Sequence, residues 1–403
     1  MIKNNICILA FIGSDNTGDE AILFSLVSSI RNSENLIRIF SLNIEKTKSL
    51  LKDLNGKNIE VINIKKHKEV IKKIINSDIL ICGGGGIIQD ETSFYNLPFF
   101  LSRVLFAKML KKKIVFYGVG VGPLHSKLSK ILTKFVLNLS EIVTVRDKES
   151  KKILVDCGVK NNLIKVTADP AVSLGKISRR KAEILLLKES INLNKKIMVI
   201  CLRQWFATYR LIPVKIVKKF NIQTKKDKLR YEYFIEEISK FLEYCKNELD
   251  FQLIFLPFWK ERDNKVHKEV KKQIKNKNNI FILEKHYNPL EIKGIISISN
   301  FIFGMRLHSI IFSATEKKNF LAINYSEKVK NYLDLLITEN FTLENLHIDP
   351  ENFSSEELIK KLNFVLSHKP CQSRVFAKKV SAIINQEKKN SYYFKEILKE
   401  KKS

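Results

Sequence analysis

The chain has 403 residues, of which 45% are hydrophobic and 10% aromatic, and its formal net charge is +29. Because a single hydrophobic core rarely grows to this length, two domains are expected. The composition excludes a disordered or fibrous protein, since it holds enough apolar material for two cores.

The large positive charge raises the question of nucleic-acid binding. The lysines are spread along the whole chain, and the aromatic residues are not interleaved with them as in a nucleic-acid reader. Solvated lysines on outer faces are the simpler interpretation, and no nucleic-acid partner is predicted. The functional alternative is attraction to an anionic membrane surface, where each nearby Lys or Arg adds about 1 kcal/mol.

The spacing of the cysteines and the length of the apolar runs indicate in which compartment the protein is expected. The six cysteines contain no C-x-x-C pair, so neither a zinc site nor a disulfide framework is predicted. Residues 1–10 contain one lysine and then a strand-like run, and this run leads directly into a polar loop, which argues against a signal peptide. The apolar stretch from Leu97 to Leu110 is interrupted by two basic residues and is too short to span a bilayer. We expect a cytoplasmic protein, with peripheral contact at the inner face of the membrane left open.

In the first half of the chain, short β-rich runs alternate with amphipathic stretches. Strands alternating with helices predict a parallel, doubly wound sheet. A helix is predicted over Ala21–Arg31, and the third predicted strand ends in four glycines. The predicted strands are Ile6–Ile12, Ile37–Asn43, Asp78–Cys82, Lys113–Val119, Glu141–Val145 and Ile164–Thr167.

The second half repeats this alternation after a charged stretch. Residues 1–175 are predicted to form one Rossmann-like domain, 176–196 a helix and linker, 197–370 a second Rossmann-like domain, and 371–403 a helical basic tail. The basic segment from Arg210 to Tyr231 is weakly periodic and is predicted to be a mobile excursion. Two such halves place a cleft between them. The second set of predicted strands is Ile197–Leu202, Phe251–Leu256, Ile280–Leu283, Phe301–Phe303 and Phe320–Asn324.

Polar clusters recur where the predicted strands end, which is the edge where open α/β sheets bind ligands. Asn16, Gly18 and Asp19 together predict a ligand loop, although helix capping alone explains the neighbouring Glu20. Within the four glycines, Gly84 and Gly85 are candidate ligand contacts. These glycines offer either a bare backbone surface for an anion or space at a crowded domain junction, and both interpretations stay open.

Three cationic positions follow other strands. Arg146 comes directly after a predicted strand, where a guanidinium can bind a carboxylate or phosphate with two hydrogen bonds. A structural pair with Asp147 is the alternative. Arg203 ends the first strand of the second half, and Lys328 follows the last. In a chain so rich in lysine, a solvated surface role is a strong alternative for Lys328.

The stretch FIFGMRLHSI, residues 301–310, places two ionisable groups between two apolar runs. Gly304 ends a strand, and a helix begins near Leu307 with unpaired N–H groups that suit an anion. Arg306 and His308 lie at this junction. A buried core histidine is the simpler interpretation of His308, but the neighbouring arginine favours a functional one. Asp169, in ADPA, is interpreted as structural.

Taken in order, these clusters resemble the polysaccharide pyruvyl transferase family, most closely the bacterial enzymes that pyruvylate cell-wall polysaccharide. The resemblance covers residues 8 to 333 and departs at the 210–231 segment, which leaves the acceptor sugar open. The residues that carry it are NTGDEAIL, DILICGGGGIIQDE, FYGVGVGPL, TVRDKES, ADPA, CLRQW, NPLEI, GMRLHSIIFSA and INYSEKV.

The resemblance implies two Rossmann-like domains facing across a cleft, as in GT-B glycosyltransferases. It also implies phosphoenolpyruvate as donor, a saccharide acceptor that is lipid-linked in the cell-wall branch, and a pyruvate ketal plus phosphate as products. The second domain is then expected to bind the donor and the first the acceptor. By the same resemblance, Arg146, His308 and Lys328 fall on donor-site or catalytic positions, and no cofactor is implied.

The chemistry of the residues fits this assignment. Phosphoenolpyruvate is a compact polyanion, which Arg146, Arg306 and Lys328 can bind without a metal. His308 is the hypothesised acid that protonates the methylene carbon, and Asp19 the hypothesised acceptor of a hydroxyl proton. Two alternatives remain: a glycosyltransferase or epimerase that uses a nucleotide sugar, and a basic binding protein without enzymatic activity, which would leave the Arg306/His308 pair unexplained.

Overall fold

The structure is a computed structural model that describes residues 3–54, 58–91, 95–204, 224–338, 342, 347–350 and 353–399. Its strands form two separate parallel sheets, one in each half of the chain, with helices between successive strands. This confirms the predicted α/β class with two doubly wound units.

The first sheet is built from the first seven strands of the chain. These strands are β1 (Asn4–Leu9), β2 (Asn35–Ser41), β3 (Ile59–Asn63), β4 (Ile79–Ile88), β5 (Lys113–Val121), β6 (Ile142–Val145) and β7 (Ile164–Val166). The intervening helices are α1 (Thr17–Ile30), α2 (Ile44–Leu51), α3 (His67–Ile75), α4 (Asn96–Met109), α5 (Lys127–Leu137) and α6 (Lys148–Asp156). The strand order is β3-β2-β1-β4-β5-β6-β7, so the winding direction reverses between β1 and β4.

The second sheet repeats this plan. Its strands are β8 (Lys196–Cys201), β9 (Phe251–Phe255), β10 (Ile280–Ile282), β11 (Phe301–Gly304), β12 (Phe320–Ile323) and β13 (His347–Ile348). The helices are α7 (Arg179–Leu187), α8 (Lys225–Asn247), α9 (Lys260–Gln273), α10 (Pro289–Ile298), α11 (Leu307–Thr315), α12 (Glu327–Leu336), α13 (Ser355–His368) and α14 (Arg374–Lys399). The order β10-β9-β8-β11-β12-β13 places the reversal between β8 and β11.

The sheets form because their strands are apolar on both faces. In β1, Ile6 and Ile8 point into one core, while Cys7 and Leu9 point into the other. All four side chains are buried. A strand covered by helices on both faces requires this continuous apolar run, which is typical of parallel sheets.

Helix α14 joins the two halves. It follows the second sheet in the chain but packs against the strand ends of the first. The buried Asn390 side chain accepts hydrogen bonds from Thr144 Oγ1 at 2.6 Å and Thr167 Oγ1 at 2.7 Å, and it donates one to Ala168 O at 3.1 Å. The predicted C-terminal helix is therefore present, and Asn390 on it bonds residues of β6 and of the segment that follows β7.

Three sequence expectations differ from the structure. Strands β3 and β13 were not predicted, because both are short and β3 carries a charged residue. The four glycines do not end a strand, since β4 runs through them to Ile88. Residues 210–223 of the basic segment lie outside the described residues, but from Lys225 onward the chain is helical rather than an excursion.

Candidate functional site

The first domain contributes a polar cluster at the start of α1. Asn16 caps this helix, accepting from Gly18 N at 3.2 Å, and its Nδ2 donates to Asp19 Oδ2 at 2.6 Å. Burial raises the pKa of Asp19 to about 6, although His308, Asn16 and Lys328 act in the opposite direction. Asp19 is therefore a carboxylate held in one orientation and poised to exchange a proton near neutral pH.

Gly18 lets the two domains meet. A methyl group built on Gly18 would lie 2.1 Å from Nδ1 of His308, which no real contact permits. The imidazole therefore packs directly on the backbone of the first turn of α1. This placement joins the predicted Asn16–Gly18–Asp19 cluster with the predicted His308 across the domain boundary.

Arg146 follows β6 and lies flat on β5. Its guanidinium occupies space that a side chain at Gly120 would fill, since a methyl group there would be 2.5 Å from Cζ. Arg146 Nε lies 3.3 Å from Asp147 Oδ2, and one terminal nitrogen lies 3.5 Å from Asp169 Oδ2. Asp147 also caps α6 through Ser150 N at 2.7 Å, so its structural interpretation is supported.

His308 lies on the first turn of α11 and faces Asp169. Its Nε2 is 3.8 Å from Asp169 Oδ2, beyond hydrogen-bond distance, and has no hydrogen-bond partner among the described residues although it is buried. Burial opposes ionisation of Asp169, yet His308, Arg146 and the Ala171 N–H together keep its pKa below the usual value. Asp169 is thus an anion shared between the predicted catalytic residues Arg146 and His308.

Lys328 and Arg146 line the same recess between the domains. In this structure the recess is narrow, and the space that a water-sized sphere can enter is about 10 Å³. Its walls come from the ends of β6 and β7, from α11 and α12, and from α14. The lining residues are Arg146, Asp147, Ala168, Asp169, Leu307, Ile311, Lys328, Tyr332, Leu335 and Ile383.

Polar atoms without hydrogen-bond partners lie just before α12 and along it. Ser326 precedes this helix, but its side chain makes no capping bond. Within the described part of the chain, Ser326 Oγ, Asn324 Oδ1 and Tyr332 OH are buried and unpaired. Since buried polar groups are usually satisfied, a helix N-terminus with orphaned polar atoms and an adjacent lysine indicates a site for an anionic ligand.

Tyr325 lies among cations beside this helix. Its hydroxyl accepts from Arg203 at 2.8 Å, and Lys328 Nζ lies 5.6 Å from its ring centre. Burial raises the pKa of Tyr325, but Arg203, Lys328 and Arg306 together overcome this effect and lower it to about 7. The cationic field is therefore strong enough to stabilise a phenolate, and the predicted Arg203 belongs to it.

Arg306 differs from the other predicted cations because it is already paired. Its Nε lies 3.1 Å from Asp263 Oδ2, and a terminal nitrogen bonds the other oxygen of this fully buried carboxylate. Asp263 also accepts from the backbone of Phe258 at 2.9 Å and Trp259 at 2.8 Å. Arg306 thus anchors the loop after β9, and its predicted substrate contact depends on the remaining nitrogen.

The predicted glycine contacts divide between the two interpretations. A methyl group on Gly84 would lie 2.3 Å from Ile22 Cγ2, so Gly84 faces a packed helix rather than the cleft. This placement supports the crowded-junction alternative. Gly85 has φ of +77° and adjoins Asp19, whose Oδ1 would lie 2.8 Å from an added methyl group. Gly85 therefore belongs to the cluster, where it makes room for the carboxylate.

Backbone hydrogen bonding closes the cleft near α1. Thr17 N donates to Phe258 O at 2.8 Å, and Asn16 pairs with Trp259 as an isolated antiparallel bridge. The loop after β9, anchored by Asp263 and Arg306, thus bonds the first domain directly. The two helix starts that carry Asp19 and His308 are held together by main-chain atoms.

Sequence reasoning missed three participants. Asp169 was taken as structural, yet it contacts both Arg146 and His308. Asp263 and Tyr325 were not singled out. The position of Tyr325 beside Lys328 after a strand was a usable signal, whereas the pairing of Asp263 with Arg306 joins residues 43 positions apart and has no local signature.

Two kinds of feature are absent from the described residues. No group of three or more His, Cys, Asp or Glu side chains in this part of the chain is gathered as metal ligands. None of the described helices combines the length and the apolar character needed to cross a bilayer.

Comparison with known sequences identifies a family. The family model for polysaccharide pyruvyl transferase matches residues 16–327, which is most of the chain and includes every candidate residue except Lys328. No curated protein matches the chain.

Solved structures share the fold over nearly the whole chain. Alr3699/HepE from Anabaena, in complex with UDP and glucose, has a TM-score of 0.63 at 12% identity and covers 99% of this chain and 100% of its own. A glycosyltransferase from Rickettsia africae has 0.61 at 17% identity, covering 99% of each chain. A UDP-GlcNAc 2-epimerase from Neisseria meningitidis has 0.58 at 14% identity, covering 98% and 100%. These neighbours place the chain in the GT-B architecture.

Proposed function

We propose a reaction for a chain that belongs to the polysaccharide pyruvyl transferase family: it transfers the pyruvyl group of phosphoenolpyruvate to two hydroxyls of a saccharide. The products are a pyruvate ketal and inorganic phosphate. The observation that carries the proposal is the meeting of Arg146, Asp169 and Lys328 at one interdomain recess, with His308 Nε2 3.8 Å from Asp169 Oδ2.

The donor site is proposed at the edge of the second domain. Phosphoenolpyruvate carries a phosphate and a carboxylate, so it needs several cations at short range. Lys328 and the first turn of α12 suit the phosphate, and Arg146 suits the carboxylate. Arg203, which bonds Tyr325 in this structure, adds a further cation that the donor can recruit.

His308 is the proposed acid. Its Nε2 is buried but unpaired among the described residues, so a proton there can pass to the methylene carbon of the donor. The resulting electrophilic C2 is attacked by one sugar hydroxyl, and the bond from C2 to the phosphate oxygen breaks. The second hydroxyl then attacks C2 and closes the ring. Of the two hydroxyl protons, one restores His308, and the other passes through Asp19 to the departing phosphate.

The acceptor is proposed to lie against the first domain. Asp19 faces His308 across the boundary, and its raised pKa of about 6 suits a group that accepts a hydroxyl proton near neutral pH. Asn16 fixes the carboxylate through its 2.6 Å hydrogen bond. We further propose that the acceptor is a saccharide of a cell-surface polysaccharide on its lipid carrier, modified in the cytoplasm at the membrane face.

A second candidate comes from the solved neighbours, several of which bind UDP or a UDP-sugar. A glycosyltransferase or epimerase would use the same architecture with a nucleotide at the edge of the second sheet. The cation-rich surroundings of Tyr325 suit a diphosphate as well. This candidate offers no role for the close approach of Arg146, Asp169 and His308, which is why we rank it second.

One experiment separates the two candidates. The full chain is titrated by calorimetry with phosphoenolpyruvate and, separately, with UDP-sugars, and it is incubated with phosphoenolpyruvate and a panel of disaccharides. We expect phosphoenolpyruvate to bind, phosphate to be released only with an acceptor, and mass spectrometry to detect a pyruvate ketal. Binding of a UDP-sugar without binding of phosphoenolpyruvate would reject the proposal in favour of the second candidate.

A further inference from the structure

Helix α5 has two apolar faces, although it needs only one to pack on its sheet. Its inner face buries Val136 and Leu137 in the core. On its outer face, Leu128, Ile131 and Phe135 are 48%, 63% and 54% exposed. Their spacing of three and four residues places them in one stripe along the helix. We call these three side chains the α5 stripe.

Lysines accompany the α5 stripe on its own helix, which carries no acidic residue. Lys127, Lys130 and Lys134 are all exposed on the same helix. From His125 to Ser140 the sequence contains no Asp or Glu. Exposed large apolar residues bordered by cations on a helix are typical of a segment that lies in the interface of an anionic bilayer. The apolar side chains enter the headgroup boundary while the lysines meet lipid phosphates.

We propose that the α5 stripe docks this protein on the surface of an anionic lipid bilayer. Two other occupants fit less well. A second copy of this chain, packed through a symmetric contact, would bring two lysine borders against each other. A nucleic acid would meet apolar side chains at the centre of the surface, where phosphates need donors.

The position of the helix gives the docking a use. Helix α5 begins after a loop fixed by Asp90, which accepts from His125 N at 2.9 Å and from Ser126 N at 2.8 Å. That loop follows β5, the strand on which Arg146 lies. The start of the α5 stripe is therefore at the sheet edge that faces the recess. If the proposed function holds, a bilayer seated here would present a lipid-linked saccharide at the cleft.

The test is flotation of the full chain with vesicles of phosphatidylglycerol and phosphatidylcholine, compared with vesicles of phosphatidylcholine alone. We expect binding to the anionic vesicles, with a decline as salt rises above about 0.1 M. The triple variant L128S/I131S/F135S should lose at least about tenfold in partitioning, because three apolar side chains no longer enter the interface. The variant K127Q/K130Q should lose less and show a weaker salt dependence.

A matched control removes apolar side chains elsewhere. Ile184 and Leu187 on α7 are 41% and 56% exposed, and I184S/L187S should bind anionic vesicles like the parent chain. Circular dichroism melting checks that each variant is folded. The proposal is rejected if the parent chain does not float, if it binds neutral vesicles equally well, or if the triple variant floats as the parent does. Conversion of a dimer to a monomer by the triple variant, without vesicle binding, would indicate a second copy as the occupant.

Transfer to a water-soluble disaccharide serves as an independent readout. The α5 variants should retain it, because the stripe lies outside the recess. Vesicle binding without any pyruvyl transfer would leave the docking intact and reject the proposed function, so the two failures are distinguishable.

Discussion

The two sheet edges that face each other across the cleft differ in how their charges are satisfied. On the first-domain edge, Arg146 is paired with Asp147 and Asp169, and Asp19 is bonded by Asn16. On the second-domain edge, within the described residues, His308 Nε2, Asn324 Oδ1 and Ser326 Oγ are buried without hydrogen-bond partners, although His308 Nε2 lies 3.8 Å from Asp169 Oδ2. Arg203 there bonds a tyrosine rather than a carboxylate.

This difference indicates which of the two edges is suited to bind an anionic ligand. A protein seldom buries polar atoms unpaired unless a ligand completes them. The first-domain edge carries carboxylates suited to hold and deprotonate hydroxyl groups, whereas the second-domain edge carries cations and unpaired polar atoms. We propose that the phosphate of the donor binds to the second domain and the acceptor to the first, with Arg146 reaching the donor carboxylate from the first-domain edge. Each of the following predictions tests one side of this comparison.

The largest effect is expected from H308A. Without the acid, turnover should fall by about 10² to 10⁴-fold, measured as phosphate release from phosphoenolpyruvate in the presence of acceptor. The exposed His368 provides the control, and H368A should act normally. Near-normal phosphate release by a folded H308A variant would show that the second domain does not supply the acid through His308.

Lys328 should affect donor binding more than turnover. K328M removes a charged contact to phosphate, and such contacts contribute about 1.5 to 3 kcal/mol, so the KM for phosphoenolpyruvate should rise by roughly ten- to a hundredfold. The control is K330M, which removes an exposed lysine two positions along the same helix. Equal KM values in the two variants would show that Lys328 does not contact the donor, and that the donor site does not lie at the start of α12.

Asp19 should trade activity against stability. Its folded pKa of about 6 lies above the ordinary 3.8, so ionisation opposes folding, increasingly from pH 3.8 to about 6 and fully above it. D19N should therefore lower turnover by about tenfold or more, yet raise the free energy of unfolding at pH 8 by roughly 1 to 2 kcal/mol.

At pH 4, D19N should gain almost nothing in stability, because the parent carboxyl is then mostly protonated in the fold. Thermal melts at the two pH values measure this difference. D156N, which changes an exposed carboxyl near the end of α6, should show no such dependence. A D19N variant that is destabilised at pH 8 would mean that the first-domain carboxylate is fully compensated.

The smallest effect is spectroscopic. Because the pKa of Tyr325 is lowered from 10 to about 7, phenolate absorbance should appear with a midpoint near pH 7 and be absent in Y325F. The phenolate should stabilise the fold increasingly from pH 7 to 10, and this contribution should vanish as pH falls below about 7. R203Q should shift the midpoint upward. An unchanged midpoint in R203Q would show that the cationic field has another source.

The sequence could predict what depends on local pattern. Continuous apolar runs such as Ile6–Leu9 indicate buried parallel strands, and Asn16 before an acidic turn indicates a helix start. The short β13 lacks any such pattern. Four successive glycines suggested an interruption, but pairing with β5 carries β4 through Gly83 and Gly85 to Ile88, with a shift of register after Gly85. Tertiary pairing on this one side overrode the local preference, since pairing with β1 ends at Cys82.

Within the site, the predicted residues were those that end strands, because parallel strands place those ends at one edge. The alignment of the two edges could not be predicted. Asp169 contacts His308 only because the domains meet, and Gly18 gains its role from an imidazole 290 positions away. Such pairings depend on packing between domains, for which a single sequence carries no periodic signal.

Helix α14 carries a consequence for how the polypeptide is made. Asn390 completes the hydrogen bonding beneath β6 and β7, the strands that precede Arg146 and Asp169. During synthesis these strands leave the ribosome more than 200 residues before that amide. The strand ends of the first domain therefore lack these hydrogen bonds until residues 374–399 have been synthesised. A chain truncated before α14 would leave this side of the cleft incomplete, even if the first sheet had folded.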